Sequence, residues 1–426
     1  MNISGVRKNF TYLFFILNIV VYFFCLILIG DSLGPRNVII FTFSACLYYI
    51  FDLYNMKGSK YKNSDILLAV FLNLFLFLLS LFAKLFTFNQ GIILFGIILF
   101  FQILFKYIVL SVFVDKLKVM FIGKNSYQDE LMETLKKGEQ YRFLGVYDHE
   151  KNSFVEEFKT EYERLKPDVI VDFTDNLLSD AKMVEILLNY KLEGMQYYNY
   201  LNFYENLEMK LPVGDLDQKW FLENDGFEIY YNNFNMRIKR LIDIVMSVVI
   251  SICCLPIMLI AALIVKLESR GPILFVQERT GELNKPFDIY KFRSMAQDAE
   301  KDGPQWAQKN DNRITRFGKF MRITRVDELP QLWNVVRGDM SFVGPRPERE
   351  FFIKQLEKEI PYYNLRHTVK PGLTGWAQVM YPYGASVDDS YKKLQYDLYY
   401  IKHHNIVFDF MITLKTITTV IFGKGR

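Results

Sequence analysis

The chain has 426 residues and a net charge of +4, and it is 51% apolar and 16% aromatic. A single core usually stops growing before ~250 to 300 residues, so this length excludes one small domain and predicts two or three units. All four cysteines lie inside apolar runs without the paired spacing of a zinc site, and we interpret them as buried hydrophobic residues. The length of the apolar runs indicates a membrane protein.

The charge is unevenly distributed along the chain. Residues 1–236 carry 22 basic and 27 acidic side chains, a net charge of −5, whereas residues 237–426 carry 29 and 20, a net charge of +9. A basic C-terminal part suits an anionic partner, which could be a lipid headgroup, a nucleotide diphosphate or nucleic acid. Composition does not distinguish among these three kinds of partner.

Four apolar segments open the chain and predict a four-helix transmembrane bundle over residues 1–115. Each is close to the ~20 residues that a helix needs to cross a bilayer, and they cover residues 11–30, 37–54, 65–86 and 91–114. No small-residue cleavage site follows the first segment, so we interpret it as a retained anchor. Basic residues precede the first segment and separate the second from the third, which places both ends of the bundle in the cytoplasm: Arg7, Lys8, Lys57, Lys60 and Lys62.

Two lysines lie in or near these apolar segments. A charge there can mark a functional site, or it can reach an interface along its apolar stem. We favour the second interpretation for Lys84, near the end of the third segment. Lys106 lies deeper in the fourth segment, and both interpretations stay open for it.

From Lys118 onward, short apolar strands alternate with charged amphipathic stretches, which is typical of a parallel sheet with connecting helices. This pattern predicts a Rossmann-like cytoplasmic domain over residues 116–232. The turn after the first strand has only one glycine, Gly123, and the GxGxxG fingerprint is absent. The domain is therefore a degenerate version of that fold, and NAD binding is disfavoured.

A fifth apolar run, residues 241–267, predicts a re-entrant membrane hairpin over residues 239–267. Pro256 lies at its centre and should kink a helix. Both flanks are basic, which favours the same side of the membrane for both ends, and Asp243 would be costly deep in lipid. An ordinary fifth span remains the alternative. The final segments, 388–405 and 406–426, mix apolar, aromatic and basic residues and predict interfacial amphipathic helices.

The segment 271–375 is broken into loops by glycine and proline, and arginine and lysine recur in it among carboxylates. Guanidinium groups can donate two parallel hydrogen bonds to phosphate oxygens, so a phosphate ester is the expected ligand. The basic residues are Arg279, Lys291, Arg293, Arg322, Arg325, Arg337 and Arg346.

The adjacent carboxylates Asp327 and Glu328 have a structural and a chemical interpretation. As structure, Asp327 would be the N-cap of the helix "ELPQLWNVVRG", Glu328 would favour the positive end of its dipole, and Pro330 would fit its first turn. As chemistry, neighbouring cations should lower the pKa of these carboxyls and keep them ionised, ready to bind a metal or to attack phosphorus. The two interpretations are compatible.

Several motifs after Lys239 closely resemble those of bacterial sugar transferases, the polyprenyl-phosphate hexose-1-phosphate transferases or monotopic phosphoglycosyl transferases. The motifs are "KRLID", "YKFRSM", "DELPQLWNVVRGDMS", "VGPRP", "KPGLTGWAQV" and "QYDLYYI". The four leading spans and the degenerate dinucleotide-like domain resemble the long form of this family, which starts O-antigen, capsule or exopolysaccharide repeat units. The resemblance implies a mostly α catalytic domain over residues 233–426.

The resemblance also implies a reaction and a location. A sugar 1-phosphate passes from a UDP-sugar to undecaprenyl phosphate through an aspartyl-phosphosugar intermediate, and UMP is released. The protein would be a multi-pass protein of the bacterial cytoplasmic membrane with its catalytic domain on the cytoplasmic face. Its partners would be these two substrates and membrane lipid, with no nucleic acid, and a homodimer through the middle domain is expected.

Individual residues match the family's functional positions. By the resemblance, Asp327 is the nucleophile, Glu328 is its partner, and both hold Mg²⁺. Other catalytic positions are Arg279, Lys291, Arg322 and Asp397. Arg322 is also expected to grip phosphate, and the uridine end of the donor is assigned to Pro345, Arg346 and Pro347.

Two other functions compete with this one. The chain could be a membrane scaffold or regulator of polysaccharide assembly without transferase activity, which the intact carboxylate pair and its arginines disfavour. An NAD-dependent enzyme that modifies nucleotide sugars is disfavoured by the missing glycine fingerprint.

Overall fold

The structure is a computed structural model that describes residues 3–31, 34–50, 63–82, 84–112, 116–137, 141–147, 154–174, 176–224, 227, 233–295, 313–381, 384 and 386–421. Within these ranges the chain forms two compact units, residues 1–203 and 204–426. The predicted loop lysines Lys57, Lys60 and Lys62 lie outside the described residues. The division into three domains stays a prediction.

The first unit begins with four apolar helices, α1 (Ile3–Leu28), α2 (Pro35–Ile50), α3 (Asn63–Phe82) and α4 (Phe88–Val112). Their inward side chains form one apolar cluster that includes Phe14, Tyr22, Leu72 and Leu94. Within α4, Phe88–Ile108 is long and apolar enough to cross a membrane, and α1 and α3 contain shorter apolar stretches. The four-span membrane bundle therefore stays a prediction, although all four helices are present.

Polar side chains connect these helices internally. The Tyr48 hydroxyl donates to Asn73 Oδ1 at 2.9 Å, and Asn73 Nδ2 donates to Gln102 Oε1 at 2.9 Å, which joins α2, α3 and α4. One turn beyond Gln102, Lys106 is buried in α4. Lys84 is exposed in the turn between α3 and α4.

A parallel sheet follows, as the alternating pattern predicts. Its strands are β1 (Leu117–Ile122), β2 (Tyr141–Tyr147), β3 (Val169–Asp172) and β4 (Gln196–Asn199), in the spatial order β2-β1-β3-β4. The connections contain α5 (Gln128–Lys137), α6 (Phe154–Leu165) and α7 (Ala181–Leu192). Gly123 ends β1 with a φ of +78°, a conformation that glycine adopts without strain. The parallel sheet is confirmed, whereas its Rossmann-like character stays a prediction.

The second unit is mostly helical. After α8 (Tyr200–Glu208) and α9 (Gln218–Glu223) comes the long α10 (Asn233–Glu268), then the antiparallel hairpin of β5 (Leu274–Thr280) and β6 (Pro286–Phe292). The remaining elements are α11 (Arg316–Thr324), α12 (Gln331–Arg337), β7 (Ser341–Val343), α13 (Glu350–Glu359), β8 (Gly372–Thr374), α14 (Trp376–Met380), α15 (Val387–His403) and α16 (Ile406–Ile421). β7 and β8 pair in parallel.

The fifth apolar run differs from its prediction. Instead of two helices joined at Pro256, α10 is one helix of 36 residues that continues through Pro256. Proline removes only one backbone donor, and a helix that keeps its remaining hydrogen bonds leaves fewer unsatisfied groups in an apolar setting than a turn would. A hairpin of two separate helices is therefore wrong as secondary structure, whereas the kink at Pro256 and the re-entrant path with both ends on one face of the membrane stay predictions.

One face of α10 packs on the protein and the rest carries apolar side chains outward. Asp243, Ser247, Ala261 and Val265 are buried at spacings of a single helical face. The other faces expose apolar residues over most of the helix, and Met236–Glu268 is long and apolar enough to cross a membrane. An apolar surface of this size is typical of membrane contact.

The prediction of an interfacial helix is wrong for α15. Leu394, Leu398, Tyr400 and Ile401 are buried, and so is Asp397, so the helix lies in the core of the second unit. Its polar groups are paired inside the unit, and this pairing allows a segment of mixed composition to be buried. By contrast, α16 buries one face and leaves Ile406, Val407 and Ile417 exposed.

Candidate active site

The carboxylate pair lies in a tight turn between α11 and α12. Helix α11 ends at Thr324, and Arg325 adopts a left-handed conformation with a φ of +60°. The 3₁₀ turn Val326–Glu328 follows, and the N-cap of α12 is Pro330. The prediction that Asp327 caps α12 is therefore wrong, because the reversal at Arg325 starts a separate turn that places both carboxylates ahead of the helix.

Glu328 is the anionic centre of a cationic group. Its Oε1 lies 2.6 Å from Arg346 Nη2, 3.4 Å from Arg325 Nη1 and 3.7 Å from Lys291 Nζ. Burial alone would raise the pKa of Glu328, but these cations outweigh burial and hold that pKa well below its usual range. Glu328 is therefore ionised at neutral pH, as the sequence predicts.

Asp327 behaves differently from its neighbour. Its side chain is buried, with 7% of the residue exposed, and its Oδ1 has no hydrogen-bond partner among the described residues. Burial and the adjacent Glu328 charge raise the pKa of Asp327 to about 6. The expected lowering of this pKa is therefore wrong, because the cations contact Glu328 directly and only partly offset these two effects at Asp327.

Two basic residues from neighbouring elements, Lys291 and Arg322, also lie near the carboxylate pair. Lys291 comes from β6, and burial lowers its pKa to about 8. Arg322 comes from the last turn of α11, and its Nε donates to Ser294 Oγ at 2.9 Å, just beyond β6. Its charge favours the ionised form of Asp327. Both residues therefore lie where the sequence places them, around the carboxylates.

The loop after β7 brings Arg346 to Glu328 because glycines allow two backbones to touch. A Cβ on Gly344 would lie 2.4 Å from the Lys370 carbonyl oxygen, and Gly372 N donates to the Pro345 carbonyl at 2.8 Å. Pro345 and Pro347 flank Arg346 in this loop. The glycines in "VGPRP" and "KPGLTGW" are thus the sequence signal for the close approach that positions the arginine.

Arg279 and Asp397 lie behind the carboxylates rather than on them. Arg279 on β5 is 3.3 Å from Glu348, just after the proline loop. Asp397, 1% exposed, pairs with Arg366 at 2.8 Å. Arg366 in turn donates to the Arg346 carbonyl at 3.0 Å. Asp397 is therefore connected to the Arg346 backbone through Arg366, a residue that lies in none of the motifs singled out in the sequence.

Helix α10 is fastened to the elements that carry the site. Arg240 donates to the carbonyls of Val335 and Val336 at 2.5 and 2.7 Å, at the C-terminal end of α12. Asp243 accepts hydrogen bonds from Ser341 Oγ at 2.8 Å and from the Phe342 N–H at 3.1 Å in β7. The long apolar helix and the charged site are therefore parts of one structure.

The arrangement can bind a polyanion and offer a nucleophile. In the part of the chain that the structure describes, one buried oxygen of Asp327 has no hydrogen-bond partner. Around it lie one carboxylate and four cations: Glu328, Lys291, Arg322, Arg325 and Arg346. Among the residues that the structure describes, no group of three or more His, Cys, Asp or Glu side chains could hold a metal ion by itself. A metal here would need oxygen ligands from a substrate as well as the two carboxylates.

Known proteins match the part of the chain that contains this site. The family model for bacterial sugar transferases matches residues 234–423. A UDP-N-acetylgalactosamine-undecaprenyl-phosphate N-acetylgalactosaminephosphotransferase from Aeromonas hydrophila is 50% identical over 257 residues, 60% of this chain and 59% of that protein. A UDP-glucose:undecaprenyl-phosphate glucose-1-phosphate transferase from Klebsiella pneumoniae is 44% identical over 201 residues, 47% of this chain and 43% of that protein.

A shorter relative is matched almost completely. An exopolysaccharide production protein from Rhizobium leguminosarum bv. phaseoli is 41% identical over 196 residues, which are 44% of this chain and 98% of that protein. By contrast, the chain spans only about half the length of the first two relatives. The residues matched by the family model include the carboxylate pair and the cations around it. With the shorter relative matched over nearly its whole length, this chain belongs to the bacterial sugar transferase family.

Proposed function

We propose that the protein transfers a sugar 1-phosphate from a UDP-sugar to undecaprenyl phosphate and so starts a lipid-linked polysaccharide repeat unit. The observation that carries this proposal is Asp327, a buried carboxylate among several cations, one of whose oxygens has no hydrogen-bond partner among the residues that the structure describes. The names of the relatives supply the substrate classes, a UDP-sugar and undecaprenyl phosphate.

The cations bind and neutralise the donor diphosphate. Arg346, Arg325 and Lys291 converge on Glu328, and a bound diphosphate would share them with this carboxylate. Arginine suits phosphate oxygens because its planar fork can donate two parallel hydrogen bonds. Fixed charges in a buried site stabilise the charge that develops in phosphoryl transfer, so positioning and electrostatics would supply most of the catalysis.

Asp327 is the proposed nucleophile. One of its carboxylate oxygens attacks the sugar-bearing phosphorus, the bond from that phosphorus to the bridging oxygen breaks, and UMP leaves with that oxygen. The product is an aspartyl phosphosugar. A phosphate oxygen of undecaprenyl phosphate then attacks the same phosphorus, and the Asp327 carboxylate is released. A raised pKa of about 6 makes Asp327 more basic than an ordinary aspartate while leaving it mostly ionised at neutral pH.

Mg²⁺ is the proposed cofactor. The unpartnered oxygen of Asp327 beside Glu328 fits this ion, because Mg²⁺ in phosphate sites is usually held by one or two carboxylates together with substrate phosphates. When bound, the ion would neutralise part of the diphosphate charge. Binding, orientation and nucleophilic attack remain the work of the chain's own residues.

The proposed setting is the cytoplasmic face of the bacterial inner membrane. The apolar outer faces of α10 suit lipid, and its inner face is fastened to the site, so the carboxylates would lie near the headgroups where the acceptor phosphate resides. Four spans over residues 1–115 and a Rossmann-like cytoplasmic domain are the proposed arrangement of the first unit. A homodimer stays a prediction.

N-acetylgalactosamine is the proposed sugar. The relative named for this sugar matches over 257 residues at 50% identity, whereas the relative from Klebsiella pneumoniae that is named for glucose matches over 201 residues at 44%. The longer match extends beyond the residues of the family model, so the likeness is not confined to the features that all members share. This proposal concerns the sugar alone and can fail without affecting the reaction.

The experiment presents purified protein in detergent with radiolabelled UDP-sugars, undecaprenyl phosphate and Mg²⁺, and compares wild type with Asp327→Asn. We expect UMP release and a labelled lipid with wild type, most strongly with UDP-N-acetylgalactosamine, and neither product with the variant. A variant as active as wild type would overturn the role of Asp327. A folded wild type that is inactive with every UDP-sugar would favour the scaffold function instead.

A further inference from the structure

Two buried polar residues, Arg293 and Ser294, directly follow β6. They are 6% and 8% exposed and belong to the motif "YKFRSM". Lys291 of the same motif lies 3.7 Å from Glu328. Arg293 and Ser294 instead make hydrogen bonds to the ends of two helices, α10 and α11. Burial of polar side chains in this way indicates a defined structural task.

Arg293 fastens this segment to the end of α10. Its Nη2 donates to the Ser269 carbonyl at 2.7 Å, and its Nη1 donates to the Arg270 carbonyl at 3.0 Å. Carbonyls at the end of a helix lack partners within it and carry partial negative charge, so a guanidinium stabilises them. Arg293 therefore fixes the position of the next residue, Ser294, relative to α10.

Ser294 contacts α11 at three places. Its carbonyl oxygen accepts from the Thr315 N–H at 3.1 Å, at the start of the helix. Gly318 packs so closely that a Cβ there would lie 2.1 Å from the same carbonyl oxygen. In the last turn, Arg322 Nε donates to the Ser294 hydroxyl at 2.9 Å. Positions three and four residues apart lie on one face of a helix, so α11 lies along Ser294 from its beginning to its end.

Helix α11 leads directly into the turn that carries the nucleophile. It ends at Thr324, and only two residues separate this end from Asp327. The charge of Arg322, one turn before the helix end, also acts on Asp327. A shift of α11 or a rotation of the Arg322 side chain would therefore be felt at the carboxylate pair.

The hydrogen bond to Ser294 fixes the guanidinium plane of Arg322. Nε is the nitrogen nearest the aliphatic stem, and its N–H lies in the plane of the group. While this N–H points at the Ser294 hydroxyl oxygen, the plane cannot turn about the stem, and the two terminal nitrogens keep one direction. Two parallel hydrogen bonds to a phosphate require such a fixed plane, because the planar fork donates them together.

We propose that Ser294 is a positioning residue for the phosphosugar transfer: its hydroxyl holds Arg322 in the orientation in which the terminal nitrogens meet the phosphate oxygens of the donor. The proposal rests on the proposed function and extends it, because it assigns to a serine behind the site the orientation of a cation in the site. Ser294 does not touch the substrate in this role. Its effect on the rate therefore passes entirely through Arg322.

A double-mutant cycle tests this dependence on Arg322. Full-length Ser294→Ala, Arg322→Met and the double variant are compared in single-turnover UMP release from UDP-N-acetylgalactosamine, with Mg²⁺ and without lipid. We expect Arg322→Met to slow release by roughly 10²–10³-fold, as loss of one transition-state donor does. Ser294→Ala should slow it by about tenfold, because Arg322 keeps its charge and loses its orientation. The double variant should match Arg322→Met within about twofold.

Ser247→Ala is the matched control. Ser247 is a fully buried serine on α10, and its hydroxyl has no hydrogen-bond partner among the residues that the structure describes. This variant should release UMP at the wild-type rate. A wild-type rate in Ser294→Ala would overturn the proposal. A tenfold loss that persists in the Arg322→Met background would also overturn it, because the loss would then be a general distortion of the fold.

Ser294→Cys carries the test if Ser294→Ala does not fold. The thiol occupies the place of the hydroxyl, and its sulfur is a weak hydrogen-bond acceptor. It should slow UMP release in the wild-type background and leave the rate of Arg322→Met unchanged, and equal losses in both backgrounds would overturn the proposal. If wild type releases no UMP from UDP-N-acetylgalactosamine or UDP-glucose, the proposed function fails and the role of Ser294 fails with it. If wild type releases UMP and the effects of the two substitutions multiply, only the role of Ser294 fails.

Discussion

The two perturbed groups of the site predict a bell-shaped pH dependence for UMP release from the donor. Burial and Glu328 raise the pKa of Asp327 to about 6, and burial lowers the pKa of Lys291 to about 8. The reaction requires Asp327 ionised and Lys291 charged. A group of pKa 6 is ionised to about a tenth at pH 5, and a base of pKa 8 is charged to about a tenth at pH 9. We therefore expect a maximum near pH 7 and a rate about tenfold lower at pH 5 and at pH 9.

The assay is single-turnover UMP release at UDP-sugar concentrations well below KM, where the rate reports the pKa values of the free enzyme, measured by rapid quench from pH 5 to pH 9.5. Lys291→Arg supplies the matched control, because guanidinium keeps its charge throughout this range. The control should retain the acid limb and lose the alkaline limb. A rate that stays constant between pH 5 and pH 7 would refute the raised pKa of Asp327. An alkaline limb that persists in Lys291→Arg would refute its assignment to Lys291.

Three substitutions test the structural side of the site. Asp327→Asn should raise the unfolding midpoint at pH 7 but not at pH 4. Folding raises the pKa of Asp327 from 3.8 to about 6. Ionisation of Asp327 therefore destabilises the folded state as pH rises through this interval, by up to about 3 kcal/mol. A midpoint equal to wild type at pH 7 would contradict this. Asp397→Asn should lower the unfolding midpoint and slow UMP release without abolishing it, because the buried Arg366 would lose its carboxylate partner. Breaking a buried ion pair in this way typically lowers the free energy of unfolding by roughly 3–5 kcal/mol. A variant with wild-type stability and rate would argue against a positioning role for Asp397. Gly344→Ala should destabilise the protein by about 1–3 kcal/mol, because the new Cβ would clash with a carbonyl oxygen. Gly96→Ala is the control in thermal unfolding, because its Cβ would meet no atom within 4 Å. Equal unfolding midpoints for the two variants would contradict the close approach of the two backbones at Gly344.

The sequence predicted the parts of the site that depend on local chemistry. Arginine and lysine recur around a carboxylate pair, and the structure brings Arg346, Arg325 and Lys291 to Glu328. The alternating pattern after Lys118 predicted the parallel sheet, because periodicity reports burial directly. These features can be read from neighbouring residues and their spacing.

Other features depend on contacts that distant segments make, and the sequence could not predict them. Burial and the charge of Glu328 raise the pKa of Asp327, and the cations offset this only in part because they contact Glu328 and not Asp327. Which of the two neighbouring carboxylates the cations contact depends on the directions of the side chains within one turn. Arg366 lies in no motif that was singled out, and only its pairing with Asp397 shows that it supports Arg346. The burial of α15 also depends on such contacts, so its mixed composition led to the wrong prediction of an interfacial helix.

The central claim is a covalent bond between Asp327 and the phosphosugar, and mass spectrometry tests it most directly. Wild-type protein is incubated with UDP-N-acetylgalactosamine and Mg²⁺ in the absence of lipid, quenched in acid and digested. We predict that the peptide containing Asp327 gains the mass of a sugar 1-phosphate, and that undecaprenyl phosphate removes this mass before quenching. UMP release without any added mass on that peptide, or an added mass on another residue that persists in Asp327→Asn, would contradict the claim.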